Sequence, residues 1–120
     1  KKVPRKMYLN ELKNSKTIIS PFGWGEVCFR DFEAFIYGAT LIKPEMEHCE
    51  TYPDLFVKNV TYVPLKWDFS NFEEITSSIL TGNYEIIAET GQKHFEEYVL
   101  GKTASEKFAK HIITQLSNVI

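Results

Sequence analysis

Residues 20–44, SPFGWGEVCFRDFEAFIYGATLIKP, decide the reading of the fold. Phe29, Phe32 and Ile36 recur at helical spacing across 28–37, and Gly38 stands where a left-handed C-cap belongs. Upstream, Thr17, Ile18 and Ile19 form a short β-branched run closed by Ser20-Pro21, the profile of a buried strand. Downstream, ATLIKP is a second such run. Two buried strands joined through a helix by short turns form a parallel crossover, right-handed by rule and the unit of α/β folds.

Working outward, Tyr8, Leu9 and Leu12 predict a short helix over 7–14. EMEHCETYPD is polar and aperiodic and reads as a loop; LFVK and TYVPL, separated by Asn59, offer two short runs of which one is the next strand. Ser70-x-x-Glu73 is a capping-box pattern ahead of Phe72, Ile75 and Ile79. Tyr84, Ile87, Ala88, Gly91, Phe95 and Tyr98 give an amphipathic helix over about 83–100. Thr103-x-x-Glu106 is a second capping pattern, and Phe108, Ile112, Ile113 and Leu116 carry a last helix to the C-terminus.

The expectation is therefore an α/β, Rossmann-like partial domain in three layers, with a short parallel sheet of about three strands and a helical C-terminal half. Its 120 residues read as one domain. Such a sheet, led by a helix, is small for an independent doubly wound domain, so the chain reads as the truncated later part of a larger one.

Hydrophobic residues make up 43% and charged residues 25%, which disfavours disorder. The net charge of −2 gives no footprint for nucleic acid. The basic cluster Lys1 to Lys6, KKVPRK, reads as a solvated start. No apolar run reaches the roughly 18 residues of a membrane span and no signal-peptide pattern opens the chain, so the default expectation is a cytoplasmic protein with no transmembrane segment. Cys28 and Cys49 fit neither a disulfide scaffold nor a zinc motif. Asn59-Val60-Thr61 is a sequon of the kind that arises by chance.

A glycine turn before a helix has two readings. Gly23, Trp24, Gly25 and Glu26 could present amides to a phosphate, aided by the helix dipole, or simply form a structural turn. Arg30 and Glu33 share a helix face; a carboxylate there can accept two hydrogen bonds from a ribose cis-diol while a guanidinium neutralises phosphate, or the two can form an exposed ion pair of little worth. Glu26 has helix capping as its plain explanation. His48 lies among Glu45, Glu47 and Glu50, which read as solvated loop rather than as metal ligands, and His94 and His111 read as surface residues. No Ser-His-Asp or Cys-His pattern and no GxGxxG fingerprint appears, so the catalytic residues stay unknown and no cofactor or metal is expected.

The central stretch resembles the C-terminal, donor-binding half of glycosyltransferases with the GT-B fold, group 1 and family 4-like. Glu33-Ala34 followed by Tyr37-Gly38-Ala39 is similar to that family's EA-x-x-x-G-[AT] core, and Ala88, Gly91 and Phe95 are similar to its A-x-x-G-x-x-x-[FVY] helix. The resemblance spans about 8–99. It implies that Glu33 binds the donor ribose, that the Gly23 to Glu26 turn holds the diphosphate of a nucleotide-sugar, and that Arg30 assists. The family pattern places seven residues between two glutamates, whereas six separate Glu26 from Glu33, so the first glutamate's sugar-binding role does not carry over to Glu26. Further implications are a glycan or lipid-linked acceptor, a missing N-terminal domain of the same protein, and no turnover by this chain alone. A non-catalytic α/β interaction module is the alternative.

Overall fold

The computed structural model describes residues 2–120; Lys1 of the basic cluster lies outside the described residues. The order is α1 (Arg5–Asn14), β1 (Thr17–Ile19), α2 (Phe29–Tyr37), β2 (Thr40–Pro44), β3 (Val63–Leu65), α3 (Phe72–Leu80), α4 (Glu85–Phe95), a π-helical turn (Glu96–Leu100) and α5 (Ala104–Val119). The strands form one parallel sheet in the order β1-β2-β3. Thr17 stands opposite Thr40, and Ile42 opposite Val63. This is the small Rossmann-like α/β partial domain expected.

The central strand explains the layering. Every residue of β2 is buried, and side chains alternate between faces. Leu41 joins Phe35, Ala34, Ile18 and Leu12 beneath α1 and α2. Ile42 points the other way, into a cluster with Val63, Leu65, Ile75 of α3 and Ile87 of α4. Helix α4 serves both clusters, with Phe95 stacked on Phe35 at 5.9 Å. Gly91 permits that approach: a Cβ there would sit 2.8 Å from the Thr61 carbonyl oxygen and 3.0 Å from the Phe35 ring.

Gly38 is the αL C-cap of α2, at φ 67°, its amide directed at the Ala34 and Phe35 carbonyls. Of the two candidate third strands, TYVPL supplies β3, while LFVK contributes only an isolated bridge from Lys58 to Tyr62. Asn59, at φ 59°, makes the turn between them.

Neither predicted capping box forms. Asn71 takes the N-cap position of α3 and Thr103 that of α5, both with ψ near zero and no side-chain cap bond. An N-cap side chain needs extended backbone to reach back to the helix amides. Around α3 the polar groups are engaged elsewhere: Ser70 N–H donates to Asp68 at 3.0 Å and Lys66 N–H to the Asn71 side chain at 2.9 Å.

Helix α5 is the least covered element. Phe108, Ile112, Ile113, Leu116 and Val119 are all exposed. Its hold on the body includes His111, stacked flat on Tyr52 at 3.8 Å. The radius of gyration, 15.8 Å, accordingly exceeds the roughly 14 Å of a compact chain of this length. Among the described residues no helix is long and apolar enough to cross a membrane.

Candidate functional site

In a parallel sheet the strand ends and the following helix starts converge on one edge, where open α/β folds place ligands. Here that edge holds Ser20 after β1, Lys43 and Pro44 closing β2, and Trp67 after β3. Phe22 of the glycine turn meets Trp67 edge-on at 4.8 Å, so the first and third strand ends touch.

The turn is pinned from inside. Cys28, the N-cap of α2, has extended backbone (φ −132°, ψ 160°), and there a capping box does form: its amide donates to Asp31 at 2.9 Å. Its thiol lies 3.5 Å from the Ser20 hydroxyl and donates toward the Pro21 carbonyl at 3.7 Å, closing the loop on itself. Asp31 is fully buried and ion-paired at 2.9 Å with the equally buried Lys43. The Lys43 ammonium also donates to the Glu26 backbone carbonyl and lies 4.8 Å from the centre of the Phe22 ring. One buried cation thus ties β2 to the turn and to the helix start. Sequence reasoning missed this pair. Its signals were a lysine inside an otherwise apolar buried strand and an aspartate three residues after the N-cap.

Gly23 and Gly25 lie on the outside of the turn, the Gly23 amide donating to the Gly25 carbonyl at 3.2 Å. Neither occupies the left-handed region, and a Cβ on either would meet nothing within 4 Å. Among the described residues no hydrogen bond engages the amides of Phe29 or Arg30, two of the orphan donors of a helix start. Gly23, Trp24, Gly25, Val27, Cys28, Phe29 and Phe32 line an open hollow of about 520 Å³. Trp24 is fully exposed and Phe29 is 86% exposed at its rim.

Arg30 and Glu33 lie on the neighbouring face of α2, toward α1. They form no ion pair among the described residues; instead the Tyr8 hydroxyl donates to Glu33 Oε2 at 2.6 Å. Burial, and then the Glu33 carboxylate as acceptor and as charge, push the Tyr8 phenol above its ordinary value, with Arg30 opposing. Tyr8 is a partner that sequence spacing had no means to reveal. It leaves Glu33 Oε1 without a hydrogen bond among the described residues.

Glu26 does not cap α2, contrary to its plain sequence reading, because Asp31 and Cys28 already do. Its side chain turns to His48, with Oε1 3.8 Å from Nε2. The acidic neighbours of His48 in sequence go elsewhere: Glu45 and Glu47 pair with Lys58 at 2.8 and 3.3 Å. The structure thus gathers Gly23, Trp24 and Gly25 at the hollow and Arg30 and Glu33 beside Tyr8, and sends the Glu26 side chain to the loop after β2. No family model, curated protein or solved structure matches the chain.

Proposed function

We propose that the glycine turn is the diphosphate site of a nucleotide-sugar and that the chain is the donor-binding part of a GT-B-type glycosyltransferase. The observation that carries this reading is negative in form. The fold needs glycine at neither position 23 nor 25, yet both stand beside an open hollow at the carboxyl edge of the sheet. Absence of side chains there lets an anion reach the free amides at the start of α2. Glu33, held by Tyr8 through one oxygen, keeps the other for a ribose hydroxyl, and Arg30 supplies charge for phosphate. The resemblance of 8–99 to the donor half of that enzyme class supports the same assignment. Transfer to a glycan or lipid-linked acceptor then requires a second domain to position the acceptor, so this chain binds donor without turning it over.

The alternative is a non-catalytic interaction module, favoured by the large exposed apolar surface of Trp24 and Phe29 at the rim of the hollow. Calorimetric titration with a nucleoside diphosphate separates the two. The donor-site reading predicts saturable one-to-one binding, lost by at least about tenfold in Gly25→Ala while the melting temperature stays put, since a new Cβ meets no protein atom. It further predicts that Glu33→Ala weakens the nucleoside diphosphate but not inorganic pyrophosphate, which has no ribose. Absence of binding by the parent chain, or equal binding by Gly25→Ala, sinks the assignment.

A further inference from the structure

We propose that Glu26, His48 and Cys49 form a site for a zinc-class divalent cation. Their ligand atoms, a carboxylate oxygen, an imidazole nitrogen and a thiol sulfur, all lie within 4.8 Å of one another. His48 Nε2 and Glu26 Oε1 are 3.8 Å apart, too far for a hydrogen bond. Two such ligands of a tetrahedral zinc ion, at about 2.1 Å from the metal, stand about 3.4 Å apart, and a thiolate at about 2.3 Å stands about 3.6 Å from either, so the His48–Glu26 pair closes by a few tenths of an ångström and the Cys49 sulfur by up to about 1.2 Å through side-chain rotation. Among the described residues none of the three ligand atoms has a hydrogen-bond partner that a metal would have to displace.

The main chain on both sides is already fixed. Lys43 donates to the Glu26 carbonyl, and Cys49 N–H donates to Met46 O at 2.9 Å in the turn after β2. The His48 ring lies against Phe22 and Trp67, at 6.0 and 5.8 Å between centroids. Lys43, the nearby cation, is neutralised by Asp31. Thiolate and carboxylate together carry the two negative charges that offset a divalent ion. A sulfur–nitrogen–oxygen donor set excludes magnesium and calcium and suits zinc or cobalt. Three protein ligands leave a fourth position open, the arrangement of ions that hold an exchangeable water or substrate oxygen. The ligands come from two loops 22 residues apart, Glu26 in one and His48-Cys49 in the other, so no local spacing motif announces them. This site stands whether or not the glycine turn binds a nucleotide-sugar.

Cobalt titration of the chelator-treated chain tests it. The expected result is one cobalt per chain, with a near-ultraviolet thiolate-to-cobalt charge-transfer band and the visible bands of a four-coordinate ion, all bleached by one equivalent of zinc. Cys49→Ser abolishes the charge-transfer band, whereas Cys28→Ser keeps it. Glu26→Gln and His48→Ala each weaken cobalt by more than the roughly 10–100-fold that loss of an outer-shell partner costs. Both side chains are about half exposed, so these variants fold. No band in the parent chain, a band that survives Cys49→Ser, or unchanged affinity in Glu26→Gln overturns the proposal.

Discussion

Replacing Lys43 by methionine keeps the unbranched apolar stem, one atom shorter, and removes the charge, leaving the Asp31 carboxylate buried without a cation. The two groups are 2.9 Å apart and wholly inaccessible. At an effective dielectric constant near 20 their attraction is about 6 kcal/mol, against a desolvation penalty of several kcal/mol for each ion, so the intact pair adds little net stability. Breaking it is another matter, because the remaining charge is uncompensated, and the expected loss is about 3–5 kcal/mol. For 120 residues the unfolding entropy is about 0.25 kcal/mol per kelvin, so the melting temperature falls by about 12–20 °C. In the double variant Lys43→Met/Asp31→Asn both charges are gone while the new carboxamide oxygen still accepts from the Cys28 amide, and more than half of that loss returns. Urea unfolding of the parent, the two single variants and the double variant gives the coupling energy directly. A Lys43→Met loss below about 1 kcal/mol, or strictly additive single losses, refutes the reasoning that a stranded buried charge governs this turn.

In α4, Gly91→Ala improves helix propensity by about 1 kcal/mol, but the added carbon lies 2.8 Å from a backbone oxygen and overpacking costs about 1–3 kcal/mol; the urea midpoint falls, and a rise contradicts the close-packing reading. Tyr8 and Tyr62 both hold their protons above the ordinary value of 10.0, Tyr62 chiefly through burial and Tyr8 through burial and the Glu33 carboxylate. Their stabilising effect is complete below pH 10 and is lost as pH rises through the higher folded values. Tyr62→Phe and Tyr8→Phe should each remove a late component from the tyrosinate absorbance titration and flatten the alkaline fall in stability.

The strand at 40–44 was legible because burial on both faces leaves a continuous apolar run in the sequence; the one at 17–19 was legible from its β-branched residues, although as an edge strand it buries only Ile18 and leaves Ile19 exposed, so it is not the fully buried strand its composition suggests. The third strand was not, since LFVK and TYVPL carry equivalent signals and only pairing of Val63 with Ile42 across the sheet separates them. The capping pattern at Ser70 failed because α3 starts one residue later, with Asn71 at the N-cap, and the one at Thr103 for lack of extended backbone, whereas Cys28, a residue outside the usual capping set, succeeded because it has it. At the site, the glycines and the shared face of Arg30 and Glu33 could be read from spacing. The tyrosine on Glu33, the lysine under the turn and the meeting of Glu26 with His48 depend on segments 17 to 25 residues apart; such contacts leave no periodic trace in a single sequence.

The central claim is that anionic ligand meets the backbone of the Gly23 to Arg30 segment. Titration of the nitrogen-15-labelled chain with a nucleoside diphosphate, read by amide chemical shifts, tests it residue by residue. Saturable shifts concentrated at Gly23, Gly25, Phe29 and Arg30 are expected, with Glu33 following and α5 unaffected. Absence of saturable shifts, or a footprint centred on another part of the surface, contradicts it.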